Sequence, residues 1–145
     1  MPDRIELPAE LMRNLAAVAP TVKRAIMRPA LRKGAAVVAK AAKRKAPKRY
    51  GWLRKQIKYS ATKKGDNARV FVQPKRIPEP RAHTKTGTVN PAAYAHLVEF
   101  GTHNAQAEPF LRPALMETRS AQMEAITAEA VRQFGRQYDK GRTGV

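Results

Sequence analysis

The sequence predicts an α+β fold, with a long N-terminal helix and a C-terminal helix packed on a small, mostly antiparallel β-sheet. Three patterns carry this expectation. Apolar residues recur at helical spacing over the first third of the chain, alternate with polar ones over residues 53–72, and return to helical spacing after Pro113.

The first helical pattern is Leu11, Leu15, Val18, Val22 and Ile26, with Pro8 placed for a first turn. Pro20 and Pro29 are expected to kink or break it, because proline lacks the amide donor and its ring crowds the preceding turn. From Leu31 to Ala46 a second stretch puts Leu31, Ala35, Val38 and Ala42 on one stripe and lysine or arginine elsewhere, and Pro47 stops it. Its alanine content favours helix and leaves a narrow apolar face that another element can approach closely.

After the turn at 47–51 the period changes. Leu53, Lys55, Ile57, Tyr59 and Ala61 alternate with Arg54, Gln56, Lys58 and Ser60, as in a strand with one wet face. A turn at 64–67 and a second strand at 68–74 complete a hairpin. Residues 75–91 hold Pro78, Pro80, Gly87 and Pro91 among Lys75, Arg76, Arg81, His83 and Lys85, and read as a long basic loop. Two clear strands make a thin sheet, so the 75–112 region is expected to add to it. Tyr94, Leu97, Val98 and Gly101 give a short helix with a glycine cap. Pro113 opens a helix to about Tyr138, with Leu115, Met123, Ile126, Ala130 and Phe134 inward and Glu117, Arg119, Glu124, Glu129 and Arg132 outward. The 145 residues suit one domain over 1–138 with a flexible tail at 139–145.

Composition narrows the function. There is no cysteine, which removes disulfides and thiolate metal sites. No apolar run reaches the roughly 18–20 residues of a membrane span. The first residues lack the basic-then-apolar order of a secretory signal, so the chain is expected to stay where it is made. Charge is the outlying property: 29 Lys+Arg against 11 Asp+Glu give a formal net charge of +18. Self-repulsion of that size opposes compaction, and it points to a negative partner. The charge is also one-sided. No acidic residue lies between Glu10 and Asp66, whereas the part from Glu99 onward is close to balanced.

The sequence offers no catalytic site. A P-loop, G-x-G-x-x-G, H-E-x-x-H and G-x-S-x-G are all missing, and Ser60 and Ser120 have no base placed to activate them. His96, Glu99 and His103 do not share one helical face and read as a chance cluster, so no metal and no cofactor are expected.

The informative segments are three. The first is Ala46-Pro47-Lys48-Arg49-Tyr50-Gly51-Trp52-Leu53-Arg54-Lys55-Gln56-Ile57, a helix stop, a glycine turn and a strand start. The second is Tyr94-Ala95-His96-Leu97-Val98-Glu99-Phe100-Gly101-Thr102, and the third is Ala107-Glu108-Pro109-Phe110-Leu111-Arg112-Pro113-Ala114-Leu115, leading into the last helix. In order and spacing they resemble the tail-completion, or neck, proteins at the head–tail joint of lambdoid-type long-tailed phages and prophages. Members typically carry an alanine- and lysine-rich helix, then A-P-x-[KR]-T-G-x-L-[RK]-x-S-I, Y-A-x-x-V-E-F-G-T and P-F-L-R-P-A-L. The resemblance runs from about Leu31 to about Ala130, and departs at Tyr50, where the family usually has Thr, and Gln56, where it usually has Ser.

The resemblance implies a virion protein, assembled in the host cytoplasm, that forms a homo-oligomeric ring, commonly a hexamer, around the DNA channel. It would join the portal or head-closure connector to the tail terminator or tail tube. The rival reading, drawn from charge alone, is a histone-like or regulatory nucleic-acid-binding protein, although no helix-turn-helix, RRM or zinc pattern is present. On either reading Lys40, Lys43, Arg44, Lys45, Lys48, Arg49, Lys75, Arg76 and Arg81 are the residues expected to face DNA or an acidic partner. Trp52 and Tyr50 could stack on bases, but core or subunit packing suits them better. Glu99, set among Leu97, Val98 and Phe100, is expected either to pair with Arg112 or Arg54 or to sit solvated at a helix end.

Overall fold

A computed structural model of the chain describes residues 8–49, 51–79 and 85–143. Six helices and four short strands follow one another along these residues: α1 (Ala9–Ala16), α2 (Pro20–Lys45), α3 (Trp52–Gln56), β1 (Ile57–Ala61), β2 (Ala68–Val72), β3 (Ile77–Pro78), β4 (Thr88–Val89), α4 (Pro91–Phe100), α5 (Leu111–Glu117) and α6 (Arg119–Thr143). The fold class is α+β, as the patterning predicts. The strands form two separate pairs, β1 with β2 and β3 with β4.

The helix boundaries follow the prolines only in part. Pro8 is the N-cap of α1, and Pro20 is the first residue of α2, where its missing amide has no intrahelical partner to lose. Pro29, expected to interrupt, lies inside α2. It forfeits one backbone bond there, but Ile26, Met27 and Ala30 around it are buried and hold the helix in place. Pro47 follows the end of α2 at Lys45, as expected.

The expected strand start at Leu53 is a correction. Residues 52–56 are helical and β1 begins at Ile57. Alternation would have put exposed Lys55 on the apolar face. Helical spacing instead buries Leu53, Gln56 and Ile57 together. The loop at 75–91 contains β3 and β4, paired antiparallel with Ile77 opposite Val89 and Pro78 opposite Thr88. The final helix is divided at Thr118, and α5 begins at Leu111, two residues before Pro113. α6 continues to Thr143, so residues 139–143 of the expected tail are helical.

The chain divides into two compact units. The first comprises residues 1–37, 59–69 and 118–145, and the second residues 38–58 and 70–117, so that α2 and the β1–β2 hairpin supply residues to both. In the first unit Leu15, Ile26, Met27, Ala30, Ile126 and Ala130 form the core, with Leu11, Val22 and Leu31 around it. In the second, the alanine-rich end of α2 (Val38, Ala39, Ala41, Ala42, Ala46) packs with Leu53, Ile57, Phe110 and Ala114. On α6 the face differs from expectation. Phe134 is exposed and Glu129 is buried, held by Arg132 and by Gln133, whose Nε2 donates to Glu129 Oε1 at 2.7 Å. The inward line runs through Ile126, Ala130, Gln133 and Gln137, from which Phe134 is rotated away.

Candidate functional site

The motif residues converge in the second unit. α4 ends at Phe100, and Gly101 follows with φ 75 and ψ 179, its amide bonded to the Leu97 carbonyl at 2.8 Å. That combination of angles belongs essentially to glycine. Space enforces the same choice: a Cβ on Gly101 would lie 2.8 Å from the Ala107 backbone nitrogen. The chain then turns through Thr102–Ala105 and returns beside α4, where the Glu108 amide donates to the Val98 carbonyl at 2.8 Å.

Glu99 locks this return. It is buried, and its carboxylate accepts three consecutive backbone amides: Phe110 at 2.8 Å, Leu111 at 3.0 Å and Arg112 at 2.9 Å. These are donors at the start of α5, which have no acceptor within their own helix. The expected partner, an arginine side chain, is thus replaced by backbone. Arg112 contributes its amide, while its side chain is exposed. A carboxylate supplies the acceptors and the negative charge that a helix start favours.

Phe110 is completely buried beneath this lock, and Leu111 packs on the same core. Pro109 is exposed just before it, and Pro113 is half-buried in the first turn of α5. Tyr94 and Val98 pack on the core from α4, and burial raises the Tyr94 hydroxyl pKa above its usual value. Phe100, in contrast, projects outward and is 69% exposed, with Leu97 also on the surface.

The first motif forms a second joint of the same unit. Gly51 caps α3 in the left-handed region at φ 70, and Leu53 is buried behind it. Trp52 is half-buried and its indole donates to Glu79 at 3.1 Å, which favours packing over base stacking. Tyr50 and Arg81 lie outside the described residues.

The basic residues surround this scaffold. On α2, Val38, Ala41 and Ala42 face the core, and Lys40, Lys43 and Arg44 occupy the opposite face at i, i+3 and i+4. Lys45 sits at the edge of the core face and reaches Glu117 at 2.7 Å, so its charge is already engaged. Lys48, Arg49, Lys75 and Arg76 are exposed on the connecting segments of the same unit. The last turn of α2 is wholly basic (Lys43, Arg44, Lys45), which the helix dipole favours.

Residues 9–101 match the family described as "Bacteriophage HK97-gp10, putative tail-component". The match takes in α1 through α4, including the joint at Gly51 and the α4 cap at Gly101. The chain belongs to this HK97-gp10-like family. No curated protein and no solved structure matches it. As a member of the HK97-gp10-like family it is a phage protein with a structural, tail-related role. The third motif, which carries Phe110 and the amides that Glu99 binds, lies beyond the matched range. The lock between Glu99 and α5 therefore joins the matched region to the sequence that follows it.

Proposed function

We propose that this protein is a non-enzymatic neck component at the phage head–tail joint, where copies close into a ring around the DNA channel and connect the head-side connector to the tail. Family membership supports the phage setting, and the basic face of α2 carries the rest of the reading. Lys40, Lys43 and Arg44 stand opposite a core of small residues, on a segment with no acidic residue between Glu10 and Asp66. A solvated face ordinarily mixes signs. An unmixed one suits a polyanion, either the phosphates of DNA in the channel or an acidic surface of a neighbouring connector. Closed cyclic symmetry lets one short chain surround a channel.

The joint around Glu99 suits such a role because it fixes two chain segments through backbone bonds. It presents exposed Phe100 and the 102–109 turn from a rigid base, where a neighbouring subunit or connector would dock. Particles produced without this chain should accumulate as DNA-filled heads and unattached tails. Reconstruction of complete particles should place the chain between portal and tail in several symmetry-related copies. Its absence from purified particles would overturn the reading.

A further inference from the structure

Most of the length of α6 carries an exposed seam on the side away from the core of the first unit. Glu124, Ala128, Val131, Gly135, Tyr138 and Arg142 are separated by 4, 3, 4, 3 and 4 residues. All six are exposed, Val131 and Tyr138 at 63% and 65%. Steps of four and three residues follow the period of the helix itself and keep all six on one face. Exposed apolar residues scattered singly need no explanation, but Val131 and Tyr138 stand two turns apart on one face, with Ala128 a turn before them.

The order of residues along the seam specifies the partner. The spacing is the same read in either direction, with its midpoint level with Gln133. Laid antiparallel on a second copy of itself, the seam sets Val131 opposite Gly135 and Tyr138 opposite Ala128. It sets Glu124 opposite Arg142. Each large side chain meets a small one, and each acid meets a base, twice across the two-fold axis. Gly135 has open space where a Cβ would stand, so nothing within the chain obstructs a close approach there. A two-fold contact of this kind is self-complementary by construction.

Charge distribution agrees. From Glu99 to Val145 there are six basic and six acidic residues, so the whole excess of +18 resides in residues 1–98. α6 itself carries five basic and three acidic residues, so its own charge opposes a second copy only weakly. We infer that the protein self-associates through an antiparallel pairing of α6 helices, with Glu124 and Arg142 forming reciprocal ion pairs at its ends. The pairing is a property of the chain itself and does not depend on its place in the particle.

A charge exchange tests this without disturbing the core, because both residues are exposed. Sedimentation equilibrium of the full chain at physiological ionic strength should show a monomer–dimer equilibrium. Glu124→Arg alone and Arg142→Glu alone each place like charges opposite one another, and each should raise the dissociation constant at least severalfold. The double variant restores opposite charges in exchanged positions and should recover most of the lost association. Val131→Asp should abolish the dimer while circular dichroism stays unchanged. A monomer at every concentration would overturn the inference. So would single variants that dimerise like the unaltered chain, a double variant no better than the singles, or a larger assembly indifferent to all four changes.

Discussion

Glu99 Oε2 accepts the backbone amide of Phe110 at 2.8 Å, so a carboxylate at the end of one helix caps the start of another eleven residues further on. Because Phe110 is fully buried, the bond ties the capping geometry to the core of the second unit. Glu99→Gln keeps one carbonyl oxygen but turns an NH2 group toward an amide donor. Unfolding in urea should show a loss of about 1–3 kcal/mol, the usual cost of an unsatisfied buried polar group. Glu99→Ala leaves three donors without their acceptor and should cost more than Glu99→Gln. If Glu99→Gln leaves stability unchanged, the capping role is wrong.

Gly101 and Gly51 both have positive φ, yet substitution should separate them. Alanine at Gly51 meets nothing within 4 Å and faces only the left-handed backbone penalty, about 1–2 kcal/mol. Alanine at Gly101 faces a conformation closed to side chains and backbone atoms at 2.8 and 3.0 Å. Gly101→Ala should therefore be the more damaging of the two by a clear margin in thermal denaturation.

Much of this joint was legible in the sequence, but its bonding was not. Gly101 as a cap, Pro47 as a stop and the alanine face of α2 all follow from backbone constraints local to a few residues. Glu99 was identifiable as a carboxylate needing a partner. Which donors satisfy it depends on how residues 102–109 return, and nothing in the sequence periodicity encodes that path. Leu53–Ile57 fits two periods at once, and burial of Gln56 decided for helix. Phe134 reads as inward because it follows Ala130 by four residues, but Gln133, seven residues after Ile126, takes the inner position.

Gly34 should change sign with its neighbour. A Cβ there would lie 2.6 Å from Ile126 Cγ1 in the core of the first unit. Gly34→Ala in the otherwise unaltered chain should destabilise by about 1–3 kcal/mol through overpacking. With Ile126→Ala the obstruction is gone, and the same change should stabilise α2 by about 1 kcal/mol from helix propensity alone. A double-mutant cycle by chemical denaturation reads the coupling, and additive effects would show that the contact is not limiting.

Acid should weaken the first unit through Glu129. Hydrogen bonds from Gln133 and then Arg132 lower its pKa below the ordinary 4.5. A depressed folded-state pKa means that the unfolded chain binds more protons in this range, so stability rises with pH. The contribution is complete above about 4.5 and fades as pH falls through the lower folded value. Glu129→Gln should flatten this limb of the stability–pH curve and leave the neutral region with less stability. An unchanged acid limb would remove Glu129 as its source.

The basic face of α2 gives the test closest to biology. Lys45 is paired with Glu117, so replacing it mixes loss of an ion pair with loss of surface charge. Lys40, Lys43 and Arg44 lie on the face opposite the core and separate the two effects. Replacing these three with glutamine should leave thermal unfolding within about 0.5 kcal/mol per site, as for ordinary surface changes. The yield of infectious particles should fall, and the defect should appear at the joining of heads to tails. Single substitutions should fall between, since charge interactions with a polyanion accumulate over several sites. Normal particle yield from the triple variant would show that this face meets neither DNA nor an acidic neighbour during assembly.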